Sequence, residues 1–395
     1  TTRMNPHVLA QDEAMIKSLE SMKRVDEKGY LYHMECNYDY YKLPPQLLKV
    51  IDAGCSTFFT KNLNNEYILC RNYDYSHFLH NDRHNDRTGI NVIVEGRNPN
   101  AKYKSIGVCD AFWLDYQNGT YGNGSFDDGK TDLSAALLCP YLCMDGMNEK
   151  GLCVSVMALS VKGKWEEIPF DTYKDKLKYG VQPYVLENPG EEPLEDYIYM
   201  VDAAIAINTH DSRAWIAHAD MFRTTMENKK TLLPPILMRM ILDNCKSVEE
   251  GIALADNFNI TATGPGSAYH IMLTDKSGAS KLLEWVDNKM VVIDINHATN
   301  HYVSCDDGFH GLCGRDETIK AALVRTSKGG MREDYAEHLL AFIAQDPFNG
   351  NDRGKTQYSC IYNTKQLKMK VYSFGDFTKS CLLYTSPSPR DKRQS

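Results

Sequence analysis

The chain predicts a layered α+β domain, and three observations carry that prediction. Residues 56–60, Ser-Thr-Phe-Phe-Thr, and 67–70, Tyr-Ile-Leu-Cys, are strand formers separated by the turn-rich Lys-Asn-Leu-Asn-Asn-Glu of 61–66. Residues 234–256 contain a helical run from Ile236 to Leu242 and a second helix from Ser247. From Ala268 the chain reads as a β-meander. Strands, then helices, then strands suit sheets covered by helices.

The elements follow in order. Met15, Ile16, Leu19 and Met22 fall on one face of a helix over about 11–26. Tyr40 to Pro45 and Leu47 to Ile51 lead to a Gly54–Cys55 bond, where the first hairpin begins. Residues 89–96 and 151–160 read as strands, the second after the Asn148-Glu149-Lys150-Gly151 turn. Residues 116–131 are rich in Gly, Asn and Asp and read as a loop. Residues 160–200 carry Pro169, Pro183, Pro189 and Pro193 and read as a long excursion. Short strands are expected at 203–208 and 214–217. Ser247 and Glu250 are placed for a capping box. In the meander, His270 to Leu273, Lys281 to Val286 and Met290 to Ile293 are strands leading to Asn300. Helices are expected at 316–326 and 333–345, then a last hairpin from Tyr358–Tyr362 and Met369–Tyr372.

The chemistry centres on Cys55. It sits between Gly54 and a strand, and the second strand of its hairpin carries Arg71 and Asp74, 16 and 19 residues later. Only a thiolate attacks well, and a thiol at its ordinary pKa is mostly protonated at neutral pH. A guanidinium nearby favours the thiolate. Cleavage of the Gly54–Cys55 bond frees an α-amine, with a pKa of about 8, to take the thiol proton. A carboxylate such as Asp74 then holds the ammonium. Gly54, without a Cβ, lets the scissile carbonyl adopt a strained conformation beside the sulfur. Arg71 and Asp74 are three apart on an alternating strand, so their convergence requires a bend near Asn72.

The Cys55-Ser56-Thr57 start, the Arg71-Asn72-Tyr73-Asp74-Tyr75 run and Asp145-Gly146-Met147-Asn148-Glu149-Lys150-Gly151-Leu152 together resemble the choloylglycine hydrolase family. This group of linear-amide hydrolases includes bile salt hydrolases and penicillin V acylases; the acid ceramidase-like amidases are more distantly similar. The resemblance spans roughly residues 53–375 and implies a four-layer αββα sandwich of the N-terminal-nucleophile type. It implies that Cys55 is the nucleophile, flanked by Arg71 and Asp74. Thr299-Asn300-His301 resembles the family step whose Asn donates to the oxyanion, and Gly314-Arg315-Asp316 the step whose Arg lies beside the nucleophile. Asp316 replaces the usual aromatic residue. Bile salt hydrolases carry an Asn in the strand after Gly151, and Ser155-Val156-Met157-Ala158-Leu159 has none. The implied backbone oxyanion donor then falls at Met157 or Ala158. The implied reaction is hydrolysis of a small-molecule linear N-acyl amide by a self-processing, bacterial-type enzyme without cofactor or metal.

Length and composition bound the rest. The 395 residues, 43% hydrophobic, suffice for one large core. The formal charge of −8, with both signs mixed, gives no nucleic-acid footprint. No apolar run approaches the roughly 20 residues that span a bilayer, and the start lacks an apolar signal core. A cytoplasmic location is expected, and homo-oligomerisation is left open. The twelve cysteines are scattered, so no disulfide and no zinc set is expected. Three parts are expected: a helical leader over 4–54, released or retained as a separate chain, a catalytic domain over 55–380, and a tail over 381–395. That tail resembles translated adaptor sequence and is expected to have no place in the fold.

Other readings stay beside this one. Cys55 could pair with a histidine as in a cysteine protease. His77, His80 and His84 have near-helical spacing but no accompanying zinc motif, and Gly264-Pro265-Gly266-Ser267 reads as a turn. Some of the 24 tyrosines are candidates to line an acyl pocket. Acyl transfer to an amine, or acyl-amide binding without turnover, are the functional alternatives.

Overall fold

The described strands form four sheets, two large ones that make the body of the fold and two small ones. In the computed structural model the strands are, in chain order, β1 (Lys23–Arg24), β2 (Leu31–Cys36), β3 (Gly54–Lys61), β4 (Tyr67–Asp74), β5 (Asn91–Gly96), β6 (Ser105–Asp110), β7 (Cys143–Asn148), β8 (Cys153–Leu159), β9 (Gly163–Glu167), β10 (Tyr197–Met200), β11 (Arg213–His218), β12 (Lys230–Leu232), β13 (Phe258–Ile260), β14 (Ala268–Thr274), β15 (Ser280–Val286), β16 (Lys289–Asp294), β17 (His297–Ala298), β18 (Thr356–Asn363), β19 (Lys368–Ser373) and β20 (Cys381–Tyr384). The α-helices are α1 (Glu13–Glu20), α2 (Pro234–Asn244), α3 (Val248–Ala255), α4 (Gly314–Thr326) and α5 (Glu333–Ile343). The structure describes residues 12–43, 54–75, 90–114, 126–127, 129, 131, 133–159, 163–167, 197–200, 213–218, 229–260, 268–286, 289–305, 313–345, 356–373 and 375–385. The expected strand at 203–208, the His77/His80/His84 group and the Gly264–Ser267 turn lie outside them.

The larger sheet has nine strands in the order β1-β2-β5-β6-β7-β8-β14-β15-β16. The second has six, β17-β3-β4-β18-β19-β20, and the small sheets are β10-β11-β9 and β12-β13. Helices α2 and α3 cover β7, β8, β14 and β15, while α4 and α5 cover β3, β4 and β17. The two large sheets meet through β3 and β8, and Thr57 Oγ1 lies 2.9 Å from Ser155 Oγ across that seam. The architecture is therefore α+β with layers in the order α, β, β, α. No helix among the described residues is long and apolar enough to cross a membrane.

Alternation along β3 and β4 decides which residues enter which layer. Cys55 and Phe59, with Leu69 and Tyr73, join the core that includes the space between the sheets. Phe58, Ile68 and Cys70 point the other way and pack with Ile319, Leu340 and Ile343 under α4 and α5. The register Cys55↔Tyr73 and Thr57↔Arg71 puts Arg71 on the same face as Cys55. The Asn148–Gly151 turn depends on its glycine: Gly151 has φ +82°, and a Cβ there would lie 2.5 Å from the Thr364 carbonyl oxygen.

Several expectations change. The leader helix is shorter than 11–26. Asp12 caps it by accepting from the Met15 N–H at 2.8 Å, and the chain turns at Ser21 into β1 and β2. The leader thus contributes strands to the large sheet, β2 running parallel to β5. The tail boundary also moves. Cys381–Tyr384 is β20, paired with β19, because Cys381 and Leu383 pack toward the core while Leu382 faces out. The Thr385 N–H closes onto Leu367 O at 3.0 Å. The Ser247–Glu250 box forms with one change: Ser247 Oγ accepts from the Glu250 N–H, but the Glu250 carboxylate takes the Lys246 N–H. All twelve cysteines are free thiols.

Candidate active site

Cys55 is the second residue of β3 and fully buried. Arg71 reaches it from β4, with Nη2 donating to Cys55 Sγ at 3.0 Å. The same guanidinium donates through Nη1 to Ser155 Oγ on β8, and its Nε lies 3.1 Å from Asp145 Oδ2 on β7. Asp145 also accepts from the Tyr358 and Tyr362 hydroxyls on β18. One buried cation therefore joins the sulfur to a carboxylate that spans both sheets. Burial opposes the charge on Arg71, but the thiol and Asp145 outweigh it and raise its pKa.

Asp74 is placed differently from expectation. β4 does not bend at Asn72; it stays paired with β3 through Gly54↔Asp74. The irregularity lies on the other neighbour, between Thr356 and Tyr358 of β18. Asp74 accordingly projects to the face opposite Arg71. There Thr356 Oγ1 donates to Oδ1 at 2.6 Å and Arg315 Nη1 approaches Oδ2 at 3.3 Å. The main chain of Asp74 serves the sulfur, since its N–H interacts with the Cys55 thiol. The strained conformation expected at Gly54 is also replaced: Gly54 opens β3 in extended, paired backbone.

The Cys55 peptide is held at both polar ends. Its N–H donates to Asn300 Oδ1 at 3.0 Å, and its carbonyl accepts from Arg315 Nη1 at 2.9 Å. Arg315 Nη2 also donates to Asn300 Oδ1 at 2.8 Å, and Asn300 Nδ2 donates to the Ala158 carbonyl at 2.6 Å. These partners fix the amide orientation: two donors face its oxygen and one acceptor faces its nitrogen. Arg315 comes from the first turn of α4, beside Asp316. That buried carboxylate meets Lys320 at 2.8 Å, His297 at 3.5 Å and His301 at 3.7 Å. Met157 and Ala158 lie in β8 beyond Ser155, where the register with β7 ends. The structure thus brings Gly54, Cys55, Arg71, Asp74, Asn300, Arg315 and Ala158 into one connected group.

Charge around the sulfur is finely opposed. Burial pushes the Cys55 thiol up to about 11, while Arg71 pulls it down. Burial likewise raises Asp74 to about 6 against the pull of Arg315. His270 bonds to Glu284 and Thr299, His301 to Thr299 and His297 to Asn296. A Cys55–histidine pair is not formed among the described residues. A different thiol, Cys313 at the start of α4, is lowered to about 7: burial raises it, but His301, Arg315 and Thr299 prevail.

Sequence reasoning assigned no role to Asp145, Ser155, Thr356, Tyr358 or Tyr362. Asp145 was visible as the first residue of a quoted run, yet its partnership with Arg71 depends on sheet stacking, which no local pattern encodes.

No family model matches this chain, and no curated protein sequence does. Solved structures do. Two variants of conjugated bile acid hydrolase from Clostridium perfringens are 13% and 14% identical to it, with TM-scores of 0.48 and 0.45; each match covers 85% of this chain and 94% of the other. Penicillin V acylase from Agrobacterium tumefaciens is 13% identical with a TM-score of 0.38, over 83% of this chain and 84% of the other.

Proposed function

We propose that the chain is a self-processing cysteine amidase of the N-terminal-nucleophile type that hydrolyses a linear N-acyl amide. The observation that carries this reading is the 3.0 Å contact from Arg71 Nη2 to Cys55 Sγ, on a peptide whose N–H and carbonyl are held by Asn300 and Arg315. An inert core cysteine has no use for a buried guanidinium and a clamped main chain.

Self-processing begins when Cys55 Sγ attacks the Gly54 carbonyl carbon. The thiol proton goes to the departing Cys55 nitrogen, and Gly54 is left as a thioester. Water cleaves the thioester, releasing the Gly54 carboxylate and restoring the thiol. Cys55 now carries a free α-amine, and the thiol has its own base. In turnover the sulfur attacks R–CO–NH–R′, the α-amine takes the thiol proton and then hands it to the leaving amine, and water cleaves the acyl thioester. Arg71 stabilises the thiolate throughout. Asp74 neutralises the α-ammonium. Asn300 Nδ2 has a second N–H beyond the one given to Ala158, and with a backbone N–H at Met157 or Ala158 it can hold the oxyanion.

The test is intact mass and N-terminal sequence of the purified full chain beside Cys55→Ala. The parent should yield a chain starting at Cys55 and the variant should not. The processed protein is then offered a glycine-conjugated bile salt, penicillin V and a fatty N-acyl amide, with and without a competing amine to detect acyl transfer. A folded parent that stays uncleaved refutes self-processing; processed protein that turns over none of the three refutes the substrate class.

A further inference from the structure

His270 and Glu284 form a cross-strand pair on β14 and β15, directly opposite in register. Both are fully buried. His270 is also opposite Met157 of β8, two residues from Ser155, so the pair sits on the face turned toward β3. His270 Nδ1 is 3.0 Å from Glu284 Oε1, and Nε2 is 2.7 Å from the Thr299 carbonyl oxygen. A carbonyl can only accept, so Nε2 carries hydrogen.

Glu284 is equally constrained. Oε1 also accepts from the Val303 N–H at 2.8 Å. Oε2 accepts from the Ser304 N–H at 2.9 Å and from the Ser304 hydroxyl. A carboxyl surrounded by that many donors is ionised, and its pKa is lowered: burial acts the other way, but His270 and Ser304 overcome it. Facing a carboxylate, Nδ1 carries hydrogen as well. Neither residue touches Cys55. What they grip is the main chain on both sides of Asn300, at 299 through His270 and at 303–304 through Glu284.

We infer that His270, as a doubly protonated imidazolium paired with ionised Glu284, is a positioning device that locks the segment 299–304 and so aims the Asn300 side chain at the Cys55 peptide. This rests on the amidase reading, in which Asn300 serves the reacting carbonyl. Displacing such a group by about 1 Å costs on the order of 100-fold in rate.

The first-order rate of cleavage at Gly54–Cys55 needs no external substrate and is read by mass in the full chain. His270→Gln and Glu284→Gln should each slow it on the order of 100-fold. Acting through Asn300 means non-additivity: His270→Gln with Asn300→Ala should be no slower than Asn300→Ala alone. In uncleavable Cys55→Ala, ¹⁵N NMR of the imidazole should show two ring N–H protons on His270, protected from exchange. A neutral single tautomer overturns the inference even if the glutamine variants do not fold. So does wild-type cleavage in both glutamine variants, or a double variant slowed by the product of the single effects. A parent that never cleaves overturns the amidase reading and this inference with it, whereas a cleaving parent with indifferent glutamine variants overturns this inference alone.

Discussion

At the residue scale, the proposed nucleophile is shielded in the uncleaved chain. Cys55 is fully buried with its thiol near 11, whereas Cys313 is partly exposed with its thiol near 7. Thiolate fraction and access together set alkylation rates. Iodoacetamide at pH 7 should therefore label Cys313 before Cys55 in uncleaved protein, as peptide mapping would read. Early labelling of Cys55 would contradict the shielding. Arg71 carries a second consequence. It is fully buried against Asp145, and removing one partner of such a pair costs about 3–5 kcal/mol. Arg71→Ala in the Cys55→Ala background should lose that much in urea unfolding. Arg71→Lys restores charge but not three separate nitrogens, so it should fold and yet cleave slowly.

At the scale of elements, the leader is tied to the body by more than the Gly54–Cys55 bond. β2 pairs with β5 along its whole length. Beyond it, the Tyr40 and Tyr41 hydroxyls both donate to Asp243 Oδ2 of α2 at 2.7 Å. Tyr141 donates back to Tyr40 O at 2.9 Å, and Tyr38 donates to Leu137 O. Cleavage at Gly54, as proposed, would break none of these contacts. The leader and the chain starting at Cys55 should co-elute in size exclusion and part only in denaturant; a freely separating leader would contradict this. Here the sequence was only partly legible. The β3–β4 hairpin, the α2–α3 break and the meander are written locally, in alternation and turn residues. That β2 joins a sheet is not, because its partner β5 lies some sixty residues away and parallel pairing leaves no turn between them. The tail was misjudged for a similar reason: four residues of β20 have no stability alone and are read correctly only beside β19.

At the scale of the whole molecule, the site exists because two sheets stack. Cys55, Arg71 and Asp74 could be named from their spacing and chemistry, and Asn300 and Arg315 from the family resemblance of the runs that hold them. Their supports come from strands distant in the chain, Asp145 and Ser155 on the opposing sheet and Tyr358 and Tyr362 on the neighbouring strand β18, and could not be. Asp145 and Ser155 meet Arg71, and Asp145 meets the Tyr358 and Tyr362 hydroxyls, only when β7 and β8 pack over β4 and β18. Alternation held and the expected bend did not form: Arg71 and Asp74 use opposite faces of an unbroken strand, and α4 supplies Arg315 to meet the outer one. That arrangement buries Asp74 and has a consequence for stability. Its carboxyl rises from the ordinary 3.8 to about 6, burial outweighing Arg315 and Thr356. Between those two values the folded chain holds a proton that the unfolded chain has lost, so this group's contribution to stability falls as pH rises from about 4 through about 6. Asp74→Asn removes the titration. In the Cys55→Ala background, the unfolding free energy of the aspartate form minus that of the asparagine form should decline by up to about 3 kcal/mol across that window and then level off. Any constant offset from the changed contacts drops out of that slope. A difference that is flat, or that grows with pH, would show that Asp74 is ionised throughout and that Arg315 dominates its environment.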